Sequence, residues 1–371
     1  MKKNKTTTRT IIVLMLLLSF NACGVKDDDK VIINEPGTSI TIIEDADKET
    51  EVPVISVEKI DRIEDVQISD WLDEETVVIS KENDSLDKMS LAELSESYPR
   101  SLYLYNINTK EYKLLKEQKD VFLGEATLSA DKKHLLYSEY TLGDPVYYVM
   151  NLDTKDTFGI MGDEIGGAMS AGWSGNEVVG AAYNNGAFQA STSGEISAIQ
   201  GLKDEAAFIV RATKDSVFYN TSSDDSLVVL NRATKEKTNL NLKHVYNLIL
   251  SSDGTKMLVL QSDSTKSTLI LCDLDGSNQV TIAEGTELDG VSWSPDQRMI
   301  AYHLKGVENN AAVNGLYVYD TLTAKANQIA VDIQYASTCW SPSGEKLVYS
   351  QWNGEAYSSS VVYLKSSLQS N

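Results

Sequence analysis

Little in this chain can cross-link it, hold a metal or attract a polyanion. It carries three cysteines and three histidines in 371 residues. Three cysteines exclude a disulfide framework. Cys272 and Cys339 sit inside apolar, strand-like runs on different strands, two repeats apart, and are expected as buried free thiols. Cations are outnumbered, with 33 Lys+Arg against 54 Asp+Glu and a net charge of -21. Such a surface repels phosphate backbones, so nucleic-acid binding is excluded as a function class. After the first two dozen residues no apolar run approaches the ~20 residues that a membrane-spanning helix needs.

What is there begins with a leader. Lys2, Lys3, Lys5 and Arg9 precede the apolar run Ile11 to Phe20, which is followed by Asn21-Ala22-Cys23-Gly24. A basic segment, a short apolar stretch and a small residue before the cut form the layout of a secretory signal. The segment Phe20 to Gly24 resembles the lipobox of bacterial lipoproteins. That resemblance implies cleavage before Cys23, acylation of Cys23 and an extracytoplasmic body tied to a bacterial membrane. Two or more acyl chains suffice for stable anchoring. The organisation expected is a signal peptide over 1–22, an acidic tether over 23–51 and one folded domain over 52–371. The tether is highly charged and poor in apolar residues. Its runs Val31-Ile32-Ile33 and Ile40-Thr41-Ile42-Ile43 could pair locally.

Internal repetition is the strongest signal in the rest of the chain. Trp71, Trp173, Trp293 and Trp340 each introduce a short polar turn and then an apolar run, as in Trp293-Ser294-Pro295-Asp296 before Met299-Ile300-Ala301-Tyr302. Leu128, Ala212 and Leu250 open three further copies without the tryptophan. The seven anchors are spaced 38 to 57 residues apart. Each unit reads as four antiparallel strands. The anchor ends the first strand, and Ser-Pro-Asp or Ser-Asp-Gly makes the turn, since proline presets φ and Asp bonds nearby backbone. Turns such as Asn108-Thr109-Lys110 and Asp153-Thr154-Lys155 separate strands three and four. A period of ~40–45 residues with four strands is that of propeller blades. The expected fold is therefore all-β, a seven-bladed propeller, with six or eight blades as alternatives. The seventh unit is one strand short. Val52-Pro53-Val54-Ile55-Ser56-Val57 can supply that strand and hide both edges of the ring.

The runs Trp293-Ser294-Pro295-Asp296 with Ile300-Ala301-Tyr302, and Trp340-Ser341-Pro342-Ser343-Gly344 with Leu347-Val348-Tyr349, resemble the WD40-like repeat of TolB-type propellers. The resemblance spans most of the mature chain. It implies the fold and leaves function open, because such repeats occur in binding proteins and beside peptidases alike.

Catalytic constellations are sparse. Gly172-Trp173-Ser174-Gly175-Asn176 lacks the last glycine of a nucleophile elbow and reads as a blade turn. Metal lyases on related propellers use clustered histidines. Here His134 opens a second strand at one face, while His244 and His303 fall at the other, too far apart for one site. Asp273, Asp275, Ser277, Gln279, Thr281 and Glu284 match the spacing of a calcium loop, but Asn278 stands where glycine is required. They read as a turn in blade five. No cofactor is expected, and no catalytic residue is assigned.

The expectation is a non-enzymatic envelope protein that binds another protein or a small ligand. The alternative is a propeller enzyme acting on cell-wall glycan or peptide. The loops between strands two and three are long in several blades, namely Glu82 to Arg100, Lys305 to Gly315 and Trp352 to Ser359. Ser90-Leu91-Ala92-Glu93 carries a capping-box pattern that predicts a short helix in the first of them. Blades seven, one and two are neighbours in a closed ring, so their loops should form one rim. Tyr98, Arg100, Tyr140, Trp352 and Tyr357 on that rim are residue types that dominate binding hot spots.

Overall fold

A computed structural model describes residues 30–35, 38–43, 55–308 and 311–366. Cys23 and the rest of the leader lie outside them, as do Val52, Pro53 and Val54. Lys30–Glu35 and Thr38–Ile43 pair as an antiparallel hairpin, with Val31 opposite Ile42.

From Ile55 onward the chain builds seven four-stranded antiparallel units; five are separate sheets, and the first two join through one parallel pairing, Arg100 opposite Phe122. Blade 1 comprises Val66–Trp71, Thr76–Glu82, Arg100–Asn106 and Tyr112–Lys116. Blade 2 comprises Phe122–Leu128, His134–Tyr140, Val146–Asn151 and Thr157–Gly159. Blades 3, 4 and 5 begin at Gly172–Ser174, Ala207–Ala212 and Val245–Leu250. Blade 6 holds Glu287–Trp293, Met299–Glu308, Ala311–Asp320 and Lys325–Val331. Blade 7 takes Ser337–Trp340, Lys346–Trp352 and Tyr357–Ser366 from the C-terminal end and Ile55–Glu64 from the N-terminal end.

That last pairing closes the ring, and it is longer than expected. Register runs from Ile55 opposite Ser366 to Glu64 opposite Ser358. The strand extends through Lys59 to Glu64, where Ile60 and Ile63 stand among four charged residues and give only a weak apolar signal, because it is an outer strand with one face toward solvent.

The repeat residues explain the blade turns. Ser129, Ser294 and Ser341 each accept a hydrogen bond on the side-chain oxygen from the residue that opens the second strand, His134, Met299 and Lys346 respectively (2.8–3.1 Å). In the three-to-four turns Asn106, Asn151 and Asn231 each accept from two following backbone N–H groups. The residue closing each turn, Lys110, Lys155 or Lys235, takes a positive φ of 63–67°.

Seven apolar clusters lie between consecutive blades, one at every junction, including that between blades 7 and 1. Both faces of the inner strands are therefore apolar, which is why the second strands read as unbroken runs such as Val77-Val78-Ile79. The tryptophans tie blades together as well as filling space. The indole N–H of Trp71 donates to the Cys339 carbonyl at 3.3 Å, that of Trp173 to Thr127 at 3.0 Å and that of Trp340 to Ser292 at 3.4 Å. Each acceptor belongs to the first strand of the preceding blade.

Two of the expected long loops are strands. In blade 6 the ladder continues from Lys305 opposite Asn314 to Glu308 opposite Ala311, a hairpin arm on which Val307 is 72% exposed. His303 is consequently in mid-strand rather than at its end. In blade 7 the strands run to Trp352 and restart at Tyr357, leaving a four-residue turn. Ser358, Ser359 and Ser360 carry no strand propensity of their own. They pair because small hydroxyls fit the seam, where Ser350 and Ser359 both meet the backbone of Ile68 (2.8–3.1 Å). The capping-box pattern in blade 1 gives a single 3-10 turn, Ala92–Leu94, without a side-chain cap. Its Ser90 N–H donates instead to Asp120 at 2.6 Å.

Cys272 is buried, Cys339 partly so, and both are free thiols. Burial pushes the Cys272 thiol up to about 12, so it is inert as a nucleophile.

Candidate functional site

The strand-two-to-three ends of blades 7, 1 and 2 surround a cavity of about 890 Å³. Tyr98, Arg100, Tyr140, Trp352 and Tyr357 all line it. The sequence placed them on loops, yet four of the five stand at strand ends. Trp352 and Tyr357 form the last cross-strand pair of blade 7, with ring centroids 4.8 Å apart. Tyr140 ends the second strand of blade 2 opposite Phe122, at 5.6 Å between centroids. Arg100 opens the third strand of blade 1, opposite Glu82 and next to Phe122. A site on strand ends is held by the ladder, so its geometry is preformed.

Arg100 is the least exposed of the five at 7%. Its Nε donates to Ser80 Oγ at 3.0 Å and one Nη to the Ser80 carbonyl at 2.6 Å. The guanidinium lies over the Tyr357 ring, 4.9 Å from its centroid, which joins blades 1 and 7. Burial holds its pKa below the ordinary value, against the opposing fields of Tyr140, Tyr357, Glu82 and Asp65. The Tyr140 hydroxyl is pushed up to about 12 by the same enclosure and stays a neutral donor.

The loop over this cavity is fastened. Asn83 donates to Ser101 and Glu117, both at 3.0 Å, and buried Met89 pins the middle. Tyr98 comes from this loop, with Lys88 Nζ 5.8 Å from its ring centroid.

Sequence reasoning missed several lining residues. Tyr335, 72% exposed with φ 46°, precedes the first strand of blade 7, and its place on a blade-to-blade connection was the available signal. Asp65 turns the closing strand into blade 1 at φ 60° and was invisible without the strand's true length. Asp65, Glu82, Asp84 and Glu355 make the mouth acidic around its aromatic walls.

The histidines do not meet. His134 faces Asn151 in blade 2, His244 pairs with Asp225 in blade 5 at 2.9 Å, and His303 sits between Asp289 and Asn314 in blade 6, 2.9 Å from each. The calcium-like run is a turn. Asp273 is held by Lys256 and Asn278, Asp275 caps Ser277, and Glu284 pairs with Lys266. Ser174 donates to the Ala212 carbonyl at 2.7 Å, a blade-to-blade tie.

No family model matches the chain, and no curated protein matches it in sequence. Solved structures match it in fold. Oligogalacturonate lyase from Vibrio parahaemolyticus superposes with a TM-score of 0.61 at 11% identity, over 84% of this chain and 98% of that one. The Cps50 (Swd1) β-propeller domain of Myceliophteria thermophila gives 0.55 at 11% identity, over 84% and 100%. TolB from Acinetobacter baumannii gives 0.49 at 12% identity, over 80% and 65%. The chain is a β-propeller.

Proposed function

We propose that this propeller is a lipid-anchored, extracytoplasmic binding protein that takes a protein segment or small ligand in the cavity at blades 7, 1 and 2. The supporting observation is the cavity itself. Its volume falls in the usual range for ligand sites, and aromatic side chains from three blades converge on it with a buried arginine. An aromatic wall with a few placed polar groups is chemistry for recognition. The alternative is a propeller enzyme acting on cell-wall glycan or peptide. It is favoured by the fold of oligogalacturonate lyase and disfavoured by the dispersal of the three histidines.

Replacing both Trp352 and Tyr357 by alanine should weaken capture of the partner from detergent-solubilised membranes by roughly thirty-fold or more, the size of a lost hot spot. The melting temperature should change little, because both rings sit at a ladder end. Undiminished capture by the double variant would move the binding surface elsewhere.

The anchor rests on Ala22-Cys23 and the leader before it. Cys23→Ala should shift the protein from the membrane fraction to the soluble fraction, and mass spectrometry of the wild type should find acyl chains on Cys23. An unmodified mature N-terminus at another residue would refute the anchor.

A further inference from the structure

Five arginines lie among the described residues, and three of them pair with a carboxylate. Arg62 meets Glu64 at 2.7 Å, Arg232 meets Glu177 at 3.0 Å and Arg298 meets Asp320 at 2.7 Å. Arg100 and Arg211 meet only neutral oxygens. In a chain with 54 acids that is not for want of partners. Arg100 lines the aromatic cavity, and Arg211 lines a second one.

Arg211 belongs to a second cavity, about 630 Å³, on the axis of the ring. Its wall comes mainly from the first strands of blades 1, 2, 3, 4 and 7, with Leu136 and Tyr147 added from blade 2. Gln67 and Ser337 line both cavities and join the channel to the mouth. Arg211 Nε donates to the Leu248 carbonyl at 3.1 Å and Nη1 to the Val210 carbonyl at 2.9 Å. Nη2 has no acceptor among the described residues. Burial holds this guanidinium below its ordinary pKa, though it remains charged.

The one acid lining the channel is Glu125, which sits in a bulge between Gly124 and Thr127 at φ 49°. Left-handed backbone in a residue other than glycine is strained, and such strain gathers at functional positions. It aims the carboxyl into the channel, 3.5 Å from the Tyr147 hydroxyl. Enclosure by the walls raises its pKa, so it is more readily protonated than a free glutamate.

We propose that the axial channel is a binding site for a small oxyanion, a carboxylate or phosphate group, anchored by the free edge of Arg211. A planar guanidinium edge matches the two oxygens of such a group. Glu125 faces the same space, with the Tyr147 hydroxyl donating to it at 3.5 Å. Asp65, Glu82, Asp84 and Glu355 around the mouth disfavour a polyanion and admit a small ion. The channel opens into the aromatic mouth through Gln67 and Ser337, but its anchoring residue, Arg211, is not among the residues that line the mouth.

The test titrates the full chain in detergent with succinate and with inorganic phosphate by calorimetry, while following the Arg211 Nε–Hε NMR signal. Wild type should bind at least one probe saturably, with a shift of that signal; succinate alone assigns a carboxylate, phosphate alone a phosphate. Arg211→Gln should bind roughly thirty-fold more weakly or worse, as expected for loss of a buried charged partner. Glu125→Gln, which replaces the one carboxyl of the channel wall by a neutral amide, should bind as tightly as wild type or tighter, and the Trp352 and Tyr357 double alanine variant should bind normally. Arg211→Lys, which keeps the charge, guards against misfolding, and all variants are compared by melting temperature. Absence of saturable binding in wild type, or equal binding by a folded Arg211→Gln, overturns the proposal.

Discussion

Deletion of residues through Glu64 should abolish cooperative unfolding, whereas deletion through residue 48 should leave the melting temperature almost unchanged. The longer deletion removes the whole outer strand of blade 7, Ile55–Glu64, which pairs with Tyr357–Ser366 from Ser358 to Ser366. Ile55, Val57 and Ile60 are buried in the cluster between blades 6 and 7. Each such side chain contributes about 1.5–3 kcal/mol through burial. Together they match much of the ~5–15 kcal/mol that holds an ordinary domain folded. Loss of the strand also bares the backbone groups of Tyr357–Ser366 and leaves a long edge that invites edge-to-edge aggregation. Deletion through Val57 should fall between the two, because it leaves Ile60 and the pairing of Lys59 to Glu64. Thermal denaturation followed by circular dichroism, with light scattering to detect association, measures all three. Identical melting temperatures for the shortest and longest deletions would mean that the ring does not depend on this strand.

The four-stranded repeat was legible because one physical constraint recurs. In blades 2, 5, 6 and 7 the first strand ends in a turn whose serine closes on the second strand, and Ser129, Ser251, Ser294 and Ser341 do so with nearly the same geometry. Each second strand is buried on both faces, so it shows as an apolar run. Outer strands carry neither constraint. Lys59 to Glu64 is mostly charged and partly exposed, with only Ile60 and Ile63 apolar, and its partner strand is what reveals it. The same reasoning explains the misread loops. Lys305 and Asn314 pair in an arm that packs on little, so their composition looks like a loop. The aromatic and arginine residues of the mouth were found from residue type and ring adjacency. Their rigid placement was not, since cross-strand partners such as Trp352 and Tyr357 are set by register. Arg211 and Glu125 gave no signal at all, because the axis of the ring exists only after all seven blades are in place.

Trp71→Ala should destabilise the fold by about 3–5 kcal/mol, the range for truncating a large buried aromatic. Trp71 is 0% exposed and packs with Val348 and Val361 across the seam between blades 1 and 7. Lys346 Nζ stands 5.8 Å from the centroid of its ring, a cation–π contact at the same seam. The indole N–H adds a second, separable effect. Trp71→Phe keeps most of the apolar contact but loses the donor to Cys339, and should cost about 1 kcal/mol for the hydrogen bond beyond any loss of volume. Trp293 provides the internal control. Its Nε1 is buried with no acceptor among the described residues, although the ring packs in the cluster between blades 5 and 6. A buried donor without an acceptor is a penalty that phenylalanine removes. Trp293→Phe should therefore lose volume yet relieve an unpaired N–H, and its net cost should be smaller than that of Trp71→Phe. Denaturant unfolding of the four proteins, wild type included, tests the order. If Trp293→Phe costs as much as Trp71→Phe, the blade-to-blade indole bond contributes nothing, and the tryptophans serve the ring by volume alone.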